Sequence, residues 1–315
     1  LPKINPRLII SVPCSHISLC KILGKENKAI KVLEALEKHN LPIEIEVKRL
    51  RKLFVVERQN TNFEIAHQYI LKCYQLAKEH ITNELTLLTI RKDIAFSMMF
   101  TNPPNYKLSA ELLEELVQEC SSKQQPEFQT ILLFCYEKLI RAYYCINKIK
   151  KSEHYFHLGV ELNKTVKNYY IEGQICLMYF YIARKKSTKL TLEILQQATA
   201  CFKKHYKRNW TQTLDYGYVN LWYAILEIHR QDLFEALYYL KMLENITKEI
   251  DNHYLSISVN YQYAHAYSGI KDYKKAAYYA HKTYDIETEK FPNSFVLPYY
   301  LCQLGESYIN INQVK

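Results

Sequence analysis

The chain has 315 residues, 48% of them hydrophobic and 23% charged, with a net charge of +10; that apolar content supplies a core and excludes a disordered chain. Six glycines and nine prolines are too few for a β-sandwich or a glycine-turned α/β fold, whereas helices on short connections need few of either. No stretch approaches the ~18 apolar residues of a membrane-spanning helix.

Apolar residues at helical spacing, separated by turn signals, predict helices over 12–23, 26–39, 43–58, 62–80, 82–100, 107–121, 127–146, 149–166, 168–186, 189–206, 211–230, 233–250, 253–269, 273–289 and 295–311. No period-two stretch interrupts them. Thr101-Asn102-Pro103-Pro104-Asn105 must break the pattern, since proline cannot continue a helix. Tyrosine is over-represented at 28 residues; a ring with a polar tip suits half-exposed helix faces and binding surfaces. The nine cysteines (Cys14, Cys20, Cys73, Cys120, Cys135, Cys145, Cys176, Cys201, Cys302) form no C-x-x-C pair. They read as reduced, buried, structural thiols of an intracellular, cytoplasmic protein. The triplets at Asn163, Asn209 and Asn245 match the glycosylation sequon but arise by chance in such helices.

A longer period underlies the helices. Tyr263-Ala264-x-x-Tyr267 is followed by Asp272-Tyr273-Lys274-Lys275-Ala276 and then Ala280. Taking Ala276 as a marker, equivalent small residues fall at Ala236, near Ile194, and at Ser152, Ser109, Ala66 and Ala29, successive steps of 37 to 43 residues. Small residues belong where two helix backbones approach closely. The tail motif resembles the tetratricopeptide repeat. That resemblance implies an all-α, right-handed α-solenoid (superhelix) of about seven helical hairpins plus a truncated eighth, with longer helices than the 34-residue consensus. The repeat covers residues 1–315, so a single domain is expected. Leu304-Gly305-x-x-Tyr308 opens an eighth hairpin whose partner is incomplete, and the chain starts at Leu1 rather than Met. Both point to a fragment of a longer protein.

The sequence has no phosphate-cradling glycine loop, no H-E-x-x-H and no G-x-S-x-G, and neither enzyme, cofactor nor metal is expected. His154, His157 and Glu161 share a helix face, yet four ligands are not evident and a half-exposed aromatic face is the better reading. Residues 147–208 carry thirteen Lys or Arg against four acids. These cations cluster at turns and are expected to converge on one edge, which would meet an acidic protein, a nucleic-acid backbone or an anionic surface, or simply keep the chain soluble.

In tetratricopeptide proteins the first helix of each pair lines a concave groove. That resemblance puts Lys48, Arg51, Arg58, Arg91, Arg141, Tyr144, Tyr179, Lys186, Tyr218, His229, Tyr261, His265 and Tyr299 on the groove. The lining is basic toward the N-terminal half and aromatic toward the C-terminal half. Such a surface suits an extended peptide, with carboxylates on the arginines and apolar side chains between tyrosines. The Lys and Asn set of the family's carboxylate clamp is not found. Long-helix arrays of this kind resemble the sensor parts of bacterial peptide-pheromone receptors and regulators. The expected function is therefore non-catalytic peptide or protein binding within a larger regulator. The alternatives are an assembly scaffold, or a regulatory solenoid attached to an enzyme or DNA-binding domain elsewhere.

Overall fold

The computed structural model describes residues 26–39, 41–59, 62–249, 252–291 and 296–313, and every regular element among them is helical. The helices are α1 (Glu26–Ala35), α2 (Ile43–Gln59), α3 (Phe63–His80), α4 (Glu84–Ser97), α5 (Tyr106–Ser121), α6 (Pro126–Cys145) and α7 (Ile149–Val166). They continue as α8 (Tyr169–Lys186), α9 (Thr188–Tyr206), α10 (Leu214–Arg230), α11 (Leu233–Glu249), α12 (His253–Gly269), α13 (Tyr273–Lys290) and α14 (Leu297–Gln313). Short 3₁₀ turns follow α1 and α9. The helix expected over 12–23, with Cys14 and Cys20, lies outside the described residues. The proline insertion ends α4 at Ser97 and delays α5 to Tyr106.

The fold is an all-α helical repeat in which sequence neighbours pack as pairs. The chain divides into two compact units, Leu1–Lys167 and Asn168–Lys315. In the first, Val47, Leu50 and Phe54 of α2, Ala66, Ile70, Cys73 and Ala77 of α3, and Ile90 and Ile94 of α4 make one core. In the second, Leu221 and Ala224 of α10 meet Leu240, Leu243 and Ile246 of α11 and Leu255, Val259, Tyr263 and Ala266 of α12. The insertion has a visible effect: α5 packs more fully on α6 than on α4, its expected hairpin partner.

The marker residues sit where the helices cross. Ala66, Ser109, Ser152, Ala236 and Ala276 are all fully or almost fully buried. Ser109 Oγ donates to the Ala95 carbonyl and Ser152 Oγ to that of Ile140, each at 2.6 Å. Each marker stands four residues after its helix N-cap, as with Asn62, Asn105 and Asp272. That rule corrects the fifth unit: the N-cap is Ser187 and the marker is Thr191, fully buried, not the neighbourhood of Ile194. The extra length before the next unit is taken up by the Lys207–Gln212 turn. The side chain of Ala29 is outside the described set.

Three hairpin turns share one geometry. Asn147, Gln231 and Lys271 have φ of 59°, 64° and 64°. The next residue's N–H reaches back five residues to a helix carbonyl: Lys148 to Tyr143, Asp232 to Glu227, Asp272 to Tyr267. Such left-handed caps normally favour glycine; here the hydrogen bonds hold ordinary residues in them. Cys73, Cys120, Cys135, Cys176 and Cys201 are buried, whereas Cys145 and Cys302 are exposed, and all seven are free thiols. Burial pushes the Cys73 thiol up to about 12.

Candidate functional site

The first helices of the hairpins in the N-terminal unit, α2, α4 and α6, exchange cations along one face. Lys92 of α4 lies over the Phe134 ring of α6 at 4.7 Å, and Lys138 of α6 lies over the Phe96 ring of α4 at 4.2 Å. Arg58 of α2 approaches the same Phe96 at 4.9 Å, and Arg141 lies 4.6 Å from the Phe100 ring. Arg51 donates to the Asp93 carboxylate at 2.8 Å, with Lys92 3.1 Å from the other oxygen. Helical spacing makes this possible: Lys92 and Phe96, and Phe134 and Lys138, are one turn apart, so each helix offers one cation and one ring to its neighbour.

Electrostatics separates structural from available charge here. Burial would raise the Asp93 carboxyl, but Lys92 and Arg51 outweigh it and hold it below its usual range. Lys138 is pulled down by burial, opposed by Glu137 2.7 Å away. Five cations thus share the face with two buried carboxylates, and the face is net positive. Arg51 keeps 41% of its side chain exposed, so its guanidinium has donors left for a ligand.

Several expected groove residues gather on this face: Arg51, Arg58 and Arg141. Lys48, also on α2, is exposed, and Tyr144 of α6 is half-buried. The cations Lys92 and Lys138 and their phenylalanines were missed. The readable signal was Lys-x-x-x-Phe on one helix and Phe-x-x-x-Lys on the next.

The C-terminal unit answers with rings. Trp222 of α10 meets Phe180 and Tyr181 of α8, both at 4.9 Å. Tyr261 of α12 meets His265 at 4.5 Å and Tyr300 of α14 at 5.3 Å. Gln174 of α8 donates to Asp215 of α10 at 2.6 Å, and the Tyr206 hydroxyl donates to the same carboxylate. Burial pushes the Asp215 carboxyl up. Tyr299 is 69% exposed, and Lys186 and His229 are exposed at the C-terminal ends of α8 and α10.

Other expected groove residues do different work. Tyr179 is buried in the core, and Tyr218 packs against the α10–α12 cluster. Arg91 of α4 points at the second helices instead, bonding Glu119 at 2.8 Å and Glu115 at 3.3 Å on α5. There it lines a small cleft with Tyr74 and Lys78 of α3. Position along a helix did not reveal which neighbour a side chain meets.

The basic segment is also redistributed. Arg184, Lys185 and Lys186 at the end of α8 and Lys189 in the first turn of α9 flank one turn, and Lys203, Lys204, Lys207 and Arg208 stand at the other end of α9. A helix of 19 residues separates its ends by about 28 Å. These two groups therefore do not converge on one edge. Lys151 is bound to Glu114 at 2.9 Å and Lys164 to Glu161 at 2.5 Å. The rings of His154 and His157 lie edge-on to Tyr155 and Phe156. Among the described residues, no three His, Cys, Asp or Glu side chains are placed to hold a metal, and no helix is long and apolar enough to cross a membrane.

No family model matches the sequence, and no curated protein matches it. Solved structures do match the fold. One is RapI in its apo form, 12% identical with a TM-score of 0.53, covering 98% of this chain and 100% of that one. Another is BtubC (BKLC) from P. vanneervenii, 14% identical with a TM-score of 0.51, covering 74% of this chain and 91% of that one. At these identities the likeness is one of fold.

Proposed function

We propose that this chain is a non-catalytic binding module that takes an acidic segment of another protein along the face built by α2, α4 and α6. The observation that carries the reading is the row Arg51, Arg58, Lys92, Lys138 and Arg141, fixed against phenylalanine rings and two buried carboxylates. Cations already held in place lose little freedom on binding, so a carboxylate gains more of each charge-assisted hydrogen bond. The rings between them offer apolar contact to the intervening side chains. The fold of RapI, solved in an apo form, supports a scaffold that exchanges a ligand, as a part of a regulator does. Free and mostly buried thiols support a reducing, cytoplasmic setting.

The test is anisotropy of a fluorescein-labelled acidic peptide containing one phenylalanine. Arg58→Glu with Arg141→Glu should weaken binding by about 100-fold or more, because repulsion replaces attraction at two sites. Lys203→Glu with Lys207→Glu should change it little. If the second pair controls binding and the first does not, the α9 cations are the site. A nucleic-acid ligand would show affinity falling steeply with salt through counterion release; the acidic peptide should lose much less. Co-purification of one stoichiometric partner that no peptide displaces would favour a permanent scaffold instead.

A further inference from the structure

Successive second helices leave a cleft between them, floored by the first helix that joins them, and two such clefts can be compared position by position. In the N-terminal unit the cleft is small, about 170 Å³, between α3 and α5 over α4. In the C-terminal unit it is about 390 Å³, between α11 and α13 over α12.

Counting from the N-caps aligns their walls. Arg91 and Asn260 each stand eight residues after their caps, Asn83 and Asn252. Glu115 and Lys282 each stand ten after theirs, Asn105 and Asp272, and Glu119 aligns with Ile286. Tyr74 aligns with Glu244, and Lys78 with Lys248.

The difference in chemistry explains the difference in volume. In the small cleft Arg91 crosses the gap to Glu115 and Glu119 and plugs it. In the large cleft the equivalent Asn260 turns back to donate to the Ser256 carbonyl at 2.8 Å. The carboxylates that would have received an arginine are replaced by a lysine and an isoleucine. Among the described residues the one carboxylate on the wall, Glu244, is engaged by Lys241 at 2.8 Å and by the Tyr263 hydroxyl at 3.2 Å. Lys248, whose charge acts on the same Glu244, and Lys282, whose ammonium lies 5.2 Å from the Tyr278 ring, both line the cleft and leave its lining net positive. Behind them Tyr263 and Tyr279 stack at 4.5 Å and, with Val259 and Ile286, make an aromatic and aliphatic wall.

We propose that the cleft between α11 and α13 is a second binding site, for a carboxylate carried on an aromatic or aliphatic body about the size of one amino-acid side chain. The carboxylate meets Lys248 and Lys282, and the apolar body lies on Tyr279 and Ile286. The volume fits that size, at the lower end of small-ligand pockets. The same chemistry is presented by a free arylalkanoic acid or by the C-terminal phenylalanine of a peptide. This site is independent of the α2–α4–α6 face, since none of its residues belongs to those helices.

Calorimetric titration of the whole chain with 3-phenylpropionate, its neutral amide, and an acetylated pentapeptide ending in phenylalanine tests it. The acid or the peptide should bind saturably. The amide should bind at least about tenfold more weakly, because it lacks the charge-assisted contacts. Asn260→Arg with Lys282→Glu rebuilds the plug of the N-terminal unit and should abolish binding while peptide binding at Arg58 and Arg141 persists. Lys282→Ala, at an exposed side chain, keeps the test open should the double variant not fold, and should lose about tenfold. Binding of the acid identifies a small-molecule source, and binding of the peptide alone a macromolecular one. Binding of neither, equal binding of acid and amide, or unchanged affinity in Lys282→Ala overturns the proposal.

Discussion

Replacing Gly173 and Gly305 by alanine should shift stability in opposite directions, although both glycines lie inside helices. In a solvated helix the exchange gains about 1 kcal/mol from backbone entropy. Gly305 in α14 has nothing within 4 Å of where a Cβ would stand, so Gly305→Ala should gain most of that. Gly173 in α8 differs. A Cβ there would lie 2.7 Å from both Cε1 and Cζ of Phe202 in α9. That ring is fully buried and stacked on Trp210 at 5.7 Å, with Tyr170 edge-on at 6.2 Å. It has no room to turn. Overpacking a filled site costs roughly 1–3 kcal/mol; after the propensity gain, Gly173→Ala should be destabilised by about 1 kcal/mol. Urea unfolding followed by far-ultraviolet circular dichroism reads both. A rise in midpoint for Gly173→Ala would show that α8 and α9 do not cross as closely as described.

Other expectations follow from the same structure. Gln231→Gly and Lys271→Gly should each stabilise by about 0.5–1 kcal/mol, since both residues hold positive φ that glycine adopts freely; a lower thermal midpoint in both would contradict this. Ala236→Leu or Ala276→Leu, at fully buried crossings, should cost about 1–3 kcal/mol, and an unchanged urea midpoint for both would sink the marker assignment. Asp215→Asn should show a pH-dependent effect. Burial raises the Asp215 carboxyl above its ordinary 3.8, so its favourable contribution is present below that value and is lost as pH rises through the raised one. The variant should therefore gain on the parent between acidic and neutral pH in paired urea titrations; a constant difference would mean the carboxyl is not perturbed.

Much of the architecture was legible because it rests on a few hard constraints. Small residues at crossings and prolines at a break cannot be placed elsewhere, and Ala66, Ser109, Ser152, Ala236 and Ala276 all proved buried. Thr191 was missed because a β-branched, polar residue does not announce a close crossing. Its signal was the serine four positions earlier, capping α9. The face built by α2, α4 and α6 was legible only in part. Arg51 and Arg58 meet the neighbouring first helix and Arg141 the Phe100 ring just beyond its end, but Arg91 turns to α5 and Tyr179 into the core. A first helix has neighbours on several sides, and periodicity separates buried from exposed without saying which neighbour is met. Reciprocal cation and ring spacing between α4 and α6 would have distinguished them.

The two tryptophans of the chain, Trp210 and Trp222, both belong to the C-terminal unit, each packed against other rings. Indole emission is thus a spectroscopic label for that unit alone, while peptide-bond dichroism averages over both. Coincident curves from the two signals would establish that the units melt as one cooperative body, and separated curves would give each unit its own stability. The same indoles sit beside Phe202 and Phe180, so the chain carries a built-in reporter at the very crossing that Gly173 makes possible.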